Sequence, residues 1–599
     1  RLRRKKVVWY SMYYQLGAAH FRDANNGLFS SQENSNGQSK LVKFLLISAK
    51  FLFICLGIGC LTASIILKNG QNNFEFKKFT EKQSGQQRFP AQYRKISVDL
   101  FSNAVVQNAF QKAKFRFDEE KIERCFGPSD NIDIIIDAKA DFPSHGRTLF
   151  TLDCREASGN SMVDFLLVIS MEGEILAAFS PSPRAETIHM VDPETVMYAS
   201  VGTGEAYLWK WRTNEHIQLP FLADSHSLIY EENENIYYGF LSKAEGGSPD
   251  TVLGWRGEDG AEMFRYEIDL PESATVHGNY LSLSGEFLYI SLRDVSSLLK
   301  VNRRSGELCW KLGGQESDFK VIRSGEEMTE EDGNEEFYHW MGQHKFQIID
   351  DQGQMKVFTL FNNNYQVGVG QSGSSQMMKL QVDEDSKTVE VIFVFDTHDN
   401  SMIYGGADIL PFGNLLGNSY PEAVDPNDLD HQYHVNIWEL TEEAQVAWRV
   451  GIKGLNPMLK ALNSDEMYCK VQEARHLPTG WNIFMAERFY NEIPLGEVCV
   501  AERSDRGLLV RIEAYNTVRT QTNQRGSAKL YMITSVGNIL LNKFDLDFRR
   551  SFGKSFAFVD IPSDYSETEL VIEITNSWDE VNQYNLPENF YSSMSLCMN

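Results

Sequence analysis

The chain has 599 residues and a mass of 68.4 kDa, too long for one ordinary core, and its 42% hydrophobic and 12% aromatic residues exclude a disordered polymer. A formal net charge of -25 and an isoelectric point near 5.0 oppose binding to nucleic-acid phosphates, so no nucleic-acid partner is expected. A local basic funnel for a small anion stays open to such a chain.

The charge is unevenly placed. Residues 1–43 form a basic, polar tail carrying Arg1, Arg3, Arg4, Lys5, Lys6, Arg22, Lys40 and Lys43, with a turn-forming Asn25-Asn26-Gly27 and a Ser/Asn/Gln/Gly-rich run over 30–39. Residues 44–67 are mostly apolar and uncharged except for Lys50, which can snorkel to an interface. About 17 to 25 apolar residues span a bilayer, so 44–67 is expected as a single transmembrane helix, a signal anchor. A cleaved signal peptide would have a shorter apolar core nearer the N-terminus. Lys68, Lys77, Lys78 and Lys82 follow the span almost as densely as Lys40, Lys43 and Lys50 precede it, and the far N-terminal basic cluster tips the orientation. A single-pass protein is expected, its N-terminus cytoplasmic and its C-terminal part lumenal or extracellular.

Residues 68–127 are polar, with Gly70, Gly85 and Pro90, and suit a stalk that ends in a packing helix over 103–124. From about residue 128 short alternating or apolar runs are separated by Gly, Asn and Asp, as in Ile132-Asp133-Ile134-Ile135-Ile136 and Phe287-Leu288-Tyr289-Ile290-Ser291. This is an all-β pattern. A loose repeat of strand, tight polar turn and strand recurs after His226, His277 and His344, at Ala407-Asp408-Ile409, and at Ala474-Arg475-His476. Several copies close on an apolar strand around Trp310, Phe393 or Trp448. The spacing exceeds a usual blade, so insertions are required, and residues 128–500 are read as a β-propeller of about six blades. The acidic run 326–336 is one such insertion, a solvated loop. Residues 501–599 lose the repeat and suit a small appended β-sandwich.

Of eight cysteines, Cys55 and Cys60 fall in the apolar span; Cys125, Cys154, Cys309, Cys469, Cys499 and Cys597 lie outside it with no metal-ligand spacing, and their even number permits disulfides. The chain has no N-x-S/T sequon, which mildly disfavours a glycosylated face.

In a propeller the innermost strand of each blade lines the axis, so His226, His277 and His344 can converge there, with Arg293 one strand beyond His277. Gathered imidazoles can bind a metal, act as acid and base, or serve as nucleophiles. Arginine beside them disfavours a dication and clamps oxyanions, so neither metal nor cofactor is expected. His431 and His434 lie in a run that lacks the glycine and terminal glutamate of a calcium loop and read as part of a capped polar turn. His339, His398 and His476 are expected to be structural or exposed.

At these residues the sequence resembles the arylsulfotransferases, in particular their eukaryotic-type branch. The resemblance is carried, in the family's order, by His277-Gly278-Asn279, Ser291-Leu292-Arg293-Asp294-Val295-Ser296-Ser297, Gly306-Glu307-Leu308-Cys309-Trp310-Lys311-Leu312-Gly313-Gly314 and Gly342-Gln343-His344. Asn362-Asn363-Asn364 and Leu410-Pro411-Phe412-Gly413-Asn414 continue it, and it covers about residues 145–490. It implies a six-bladed propeller that moves a sulfuryl group from an aryl sulfate to a phenolic acceptor by a ping-pong route without a nucleotide donor. It further implies that His344 takes the sulfuryl group and that His226, His277 and Arg293 surround the sulfate oxygens. Two positions depart from the family: Lys345 stands where Asp usually follows Gln-His, and Asp294 where His usually follows Arg. The alternative, from a different class, is a catalytically inactive membrane-tethered propeller acting as a binding platform, or a subunit of a membrane complex, with protein partners at its face or C-terminal domain.

Overall fold

In the computed structural model the described residues are 88–113, 125, 131–139, 146–156, 161–181, 183–245, 250–269, 276–323, 326–327, 340–350, 355–366, 370–421, 424–425, 427–454, 478–504, 506–565, 568–587 and 590–597. The tail 1–43, the apolar span 44–67 and the start of the expected stalk lie outside them. No helix among the described residues is long and apolar enough to cross a membrane.

The chain is all-β over these residues, with two short α-helices, Ala104–Lys112 and Phe590–Ser593. Antiparallel sheets follow one another along the sequence. Gly146–Glu156, Ser161–Ser170 and Ile175–Phe179 pair in order, and the late strands Pro478–Asn482 and Ala486–Tyr490 both add to Gly146–Glu156. Seven strands from Ala185–Asp192 to Glu262–Glu267 form one sheet, because the long strand Glu215–Glu231 pairs at one end with Glu205–Lys210 and at the other with Ile236–Leu241. Gly278–Ser284, Phe287–Leu292, Ser297–Asn302 and Leu308–Gly313 make a four-stranded sheet. Phe346–Asp350, Met355–Asn362, Gln376–Asp383 and Thr388–Asp396 make the next, extended in parallel by Lys320–Arg323. Gly406–Ile409, Leu415–Ser419, Val435–Leu440 and Val446–Ile452 continue into Ile132–Asp137 and Tyr93–Val98.

Burial follows position within each sheet. Gly278–Ser284 is buried at every residue, whereas the outermost strand Glu262–Glu267 (Glu-Met-Phe-Arg-Tyr-Glu) alternates and keeps its charges in water, which blunts an open edge. The leading strands pack on one another: Glu215–Glu231 on Gly278–Ser284, that on Phe346–Asp350, and that on Gly406–Ile409. Ala486–Tyr490 contacts both Leu415–Ser419 and Ala185–Asp192.

Part of the expected stalk differs. Tyr93–Val98 is a strand paired with Ile132–Asp137, because its polar residues sit on an edge while Ile96 and Val98 pack on the core. Within the expected packing helix the described residues form a helix at Ala104–Lys112, capped by Asn103, whose side chain accepts from Val105 N. Of the acidic run, Glu326–Glu327 pairs with Lys320–Arg323, and 328–336 lies outside the described residues.

The C-terminal region has a three-stranded sheet (Leu495–Ser504, Gly507–Ala514, Ser555–Pro562) and a four-stranded one (Gly537–Phe548, Gln524–Thr534, Leu570–Thr575, Val581–Asn585). They share one apolar core, including Val510, Ile512, Leu530, Phe548, Val559 and Ile572, as a sandwich does. Two stretches leave this core for the other sheets. Gln521 Oε1 accepts from Leu283 N at 3.0 Å, and the Arg550 guanidinium donates to Ile348 O at 3.2 Å. Disulfides join Cys125 to Cys154 and Cys499 to Cys597; Cys309 is a free, exposed thiol, and Cys469 lies outside the described residues.

Candidate active site

Sheet register brings His277 and Arg293 together. Gly278 pairs with Leu292, so the residues just beyond face each other and Arg293 N donates to His277 O at 3.1 Å. His277 holds a left-handed φ of 50°, uncommon for a side chain of its size and of the kind that gathers at functional sites. His226 lies within Glu215–Glu231 rather than at a strand start. His344 precedes Phe346–Asp350 and bonds through its backbone N to Phe361 O at 2.9 Å.

The Gly-Gln-His segment has a mechanical explanation. At Gly342 φ is +60°, and a Cβ would lie 2.1 Å from Tyr365 O, so only glycine fits. The buried Gln343 amide donates to Ser291 Oγ, Leu292 O and Ser297 O at 3.0–3.1 Å, while Asn279 donates to Gln343 O at 2.8 Å. These bonds stitch the His344 segment to the sheet that carries His277 and Arg293. Asn363 donates to Ser401 O and Tyr404 O at 2.7 and 2.9 Å, which shapes the loop that ends in Gly405.

His344 is buried, and its Nδ1 lies 3.1 Å from Gly405 O. A carbonyl only accepts, so Nδ1 carries the proton and the Nε2 lone pair is free. Burial first, and then the charge of His226, push its pKa down to about 3, so the ring is neutral at physiological pH. Gly405 is needed here: its φ is +98°, and a Cβ would meet the Phe361 ring at 2.3 Å. Phe484 packs edge-on to His344 with ring centres 4.9 Å apart and also touches His226 and Tyr404.

The other three residues form a chain. His226 Nδ1 contacts the Asp224 carboxylate, His226 Nε2 lies 3.2 Å from His277 Nε2, and the Arg293 guanidinium lies 3.4 Å from His277 Nδ1. With both rings neutral every bond is complementary: Arg293 donates to His277, His277 to His226, and His226 to Asp224. A proton added to His226 reverses the middle bond and turns the Nδ1–H of His277 toward Arg293. Two donors then confront one another, an arrangement relieved by an oxyanion between them. Burial lowers the His226 pKa, and the opposing Asp224 carboxylate more than restores it, leaving it raised. His277 is held down at about 2 by burial and by the charges of His226 and Arg293.

Both departures from the family pattern have clear places. Lys345 points away from His344 and is fully buried, its ammonium on Asp408 and 3.2 Å from Ala486 O. Asp294 accepts from Arg293 Nε at 2.9 Å and so orients the guanidinium. Glu186, Tyr404, Gly405 and Phe484 were not legible as site residues, because each contact joins segments far apart in sequence. Tyr404 donates to Glu186 at 3.0 Å, and Glu186 also accepts from Arg184 and Ser225.

Residues 276–451 match the family model described as Arylsulfotransferase (ASST). Over these residues the chain is similar to the arylsulfotransferase family. It contains His277, Arg293 and His344, while Asp224 and His226 precede it. No curated protein matches the chain. Among solved structures, similarity is found to a Bacteroides caccae protein of unknown function (9% identity, 57% of this chain and 99% of that one, TM-score 0.32). Hydrazine synthase of Kuenenia stuttgartiensis (11%, 56% and 77%, TM-score 0.29) and TolB from Acinetobacter baumannii (10%, 52% and 64%, TM-score 0.32) are comparable. Likenesses this slight bear on neither fold nor function.

Outside this set, His434 is buried and accepts from Trp481 N at 3.1 Å, and His431 lies 2.8 Å from the Asp428 carboxylate in a turn capped by Asp425 and Asp428. His398 is exposed, and His339 and His476 lie outside the described residues. Among the described residues no three His, Cys, Asp or Glu side chains gather in a way that could hold a metal ion.

The histidines set an acid limit on stability. His344, at about 3, and His434, lowered by burial to about 4, stay neutral in the folded chain, whereas in the unfolded chain both titrate near 6.5. Below that pH the unfolded chain binds the extra protons, so stability is lost as pH falls, by up to about 2 kcal/mol per group at about pH 5. His226 has the opposite sign: its contribution is complete below about 6.5 and is lost as pH rises through its raised value. Calorimetry from about pH 8 to about pH 4.5 is expected to show a falling Tm on the acid side that His344→Gln lessens. An acid limb unmoved by that substitution would refute the neutral assignment.

Proposed function

We propose that the chain is a six-bladed propeller that transfers a sulfuryl group from an aryl sulfate to a phenolic acceptor through a sulfo intermediate on His344. The observation that carries this reading is the tautomer of His344: Nδ1–H is spent on Gly405 O, leaving a neutral Nε2 as the nucleophile beside the Arg293–His277–His226–Asp224 chain. The sequence of leading strands, each packed on the next, supports the propeller.

In the first half-reaction the Nε2 lone pair attacks sulfur, the sulfur–oxygen bond to the aryl group breaks, and the leaving phenolate takes the proton held on the His226–His277 pair. Arg293 and the N–H of His277 stabilise charge on the sulfuryl oxygens as the group passes. In the second half the incoming phenol returns its proton to the same pair and its oxygen displaces His344 from sulfur. Atoms and protons balance without a cofactor or nucleotide.

We further propose a single-pass anchor at 44–67, with the folded part on the lumenal or extracellular side. Its two disulfides support that side, since the cytosol keeps thiols reduced.

The test uses the full chain in detergent. With aryl sulfate alone, a burst of one phenol per protein and a sulfo adduct on the His344 peptide are expected; with a phenol acceptor, double-reciprocal plots should be parallel. Intersecting lines with no adduct would overturn the ping-pong reading.

A further inference from the structure

Beneath His344 lies a buried charge cluster to which the C-terminal sandwich contributes one member. Lys345 Nζ touches Asp408 and lies 3.2 Å from Ala486 O. Lys345 directly follows His344. Asp408 is on the strand that starts after Gly405, whose carbonyl holds His344 Nδ1, and Ala486 begins the strand that follows Phe484, whose ring packs on His344. One ammonium therefore ties together the three segments that carry His344, its hydrogen-bond acceptor and its packing partner, each just ahead of a strand.

Arg519 completes this floor. It leaves the sandwich in the stretch between Gly507–Ala514 and Gln524–Thr534, is almost fully buried, and lies 3.5 Å from Asp408 and 3.3 Å from Glu487. It also donates to Tyr280 OH at 3.1 Å and lies 2.8 Å from His189 Nδ1. Burial keeps His189 on the neutral side, so the cluster balances two cations, Lys345 and Arg519, against two carboxylates, Asp408 and Glu487. Without Arg519 an unpaired negative charge would remain buried and would draw Lys345 away from its central position.

We propose that Arg519, supplied by the C-terminal sandwich, is a positioning residue for His344, acting through Lys345, Asp408 and Glu487. The sandwich is thereby part of the active site's support. This rests on His344 being the nucleophile.

The experiment compares full-chain wild type, Arg519→Met, Arg519→Lys and Gln521→Ala, the last altering a buried residue of the same segment that touches none of the cluster. Two readouts are taken: kcat and KM for aryl sulfate, and ring-nitrogen spectra of 15N-histidine-labelled protein, with His344 assigned by His344→Gln. Arg519→Met is expected to lower kcat roughly ten- to a hundredfold with KM changed less than about twofold, and to turn the single Nδ1–H tautomer of His344 into a mixture. Arg519→Lys should restore part of both, and it carries the comparison should Arg519→Met fail to fold. Wild-type kcat and tautomer in Arg519→Met, or an equal loss in Gln521→Ala, would overturn the proposal. Absence of turnover in the wild type would overturn the transfer reading alone, and the tautomer comparison would still decide the positioning role.

Discussion

Replacing His344 by alanine is expected to lower kcat by at least about a thousandfold and to abolish the sulfo adduct, while the far-ultraviolet circular dichroism stays that of the wild type. The loss is large because no neighbour can take over as nucleophile. His277 Nε2 and His226 Nε2 face each other, and His226 Nδ1 is held by Asp224. His277→Ala and Arg293→Ala should act differently. They remove charge stabilisation from the transferring group and should cost roughly a hundred- to a thousandfold each, with an adduct that still forms slowly on His344. An adduct that survives in His344→Ala, or a kcat within tenfold of wild type, would rule out covalent transfer through this residue.

The second large effect is on stability. Lys345→Met leaves Asp408 and Glu487 facing Arg519 alone, an uncompensated buried charge that should cost about 3–5 kcal/mol. The double substitution Lys345→Met, Asp408→Leu restores the balance, with Arg519 against Glu487, and should recover most of that loss. Urea denaturation of the four proteins of the cycle measures it. A double variant as unstable as the sum of the two singles would show that the pair is not coupled through charge. The fully buried Lys345 ammonium, on Asp408 and 3.2 Å from Ala486 O, makes this a sharper test than any surface pair.

Lys345 also illustrates how far the sequence could be taken. In the sequence it stands next to His344, at a position where the resembled family usually has Asp. In the structure the hydrogen-bond partner of His344 comes from elsewhere, Gly405 O, 61 residues away in sequence, and Lys345 bonds Asp408 instead. Adjacency in sequence to His344 therefore says little about contact with it. Asp294 is similar: it serves Arg293 rather than replacing a histidine.

The all-β character, the turn-separated strands and the nearness of Arg293 to His277 were legible because they depend on local periodicity and short motifs. So was the capped turn at 425–434. His189, Glu487, Asp408 and Arg519 were not legible, since nothing local marks a buried charge whose partner lies on another sheet. The strand Tyr93–Val98 was read as stalk because an edge strand with a polar face resembles a linker in composition.

By itself, the sequence determined that this is a β-rich chain with three histidines and an arginine spread along its strands, since side-chain periodicity and turn residues act over a few positions. Only the tertiary structure decided which ring nitrogen of His344 is free, how protons are arranged along His226 and His277, and that the C-terminal sandwich reaches under the site. Those depend on hydrogen bonds and ion pairs between segments tens to hundreds of residues apart, which form only once the sheets have packed.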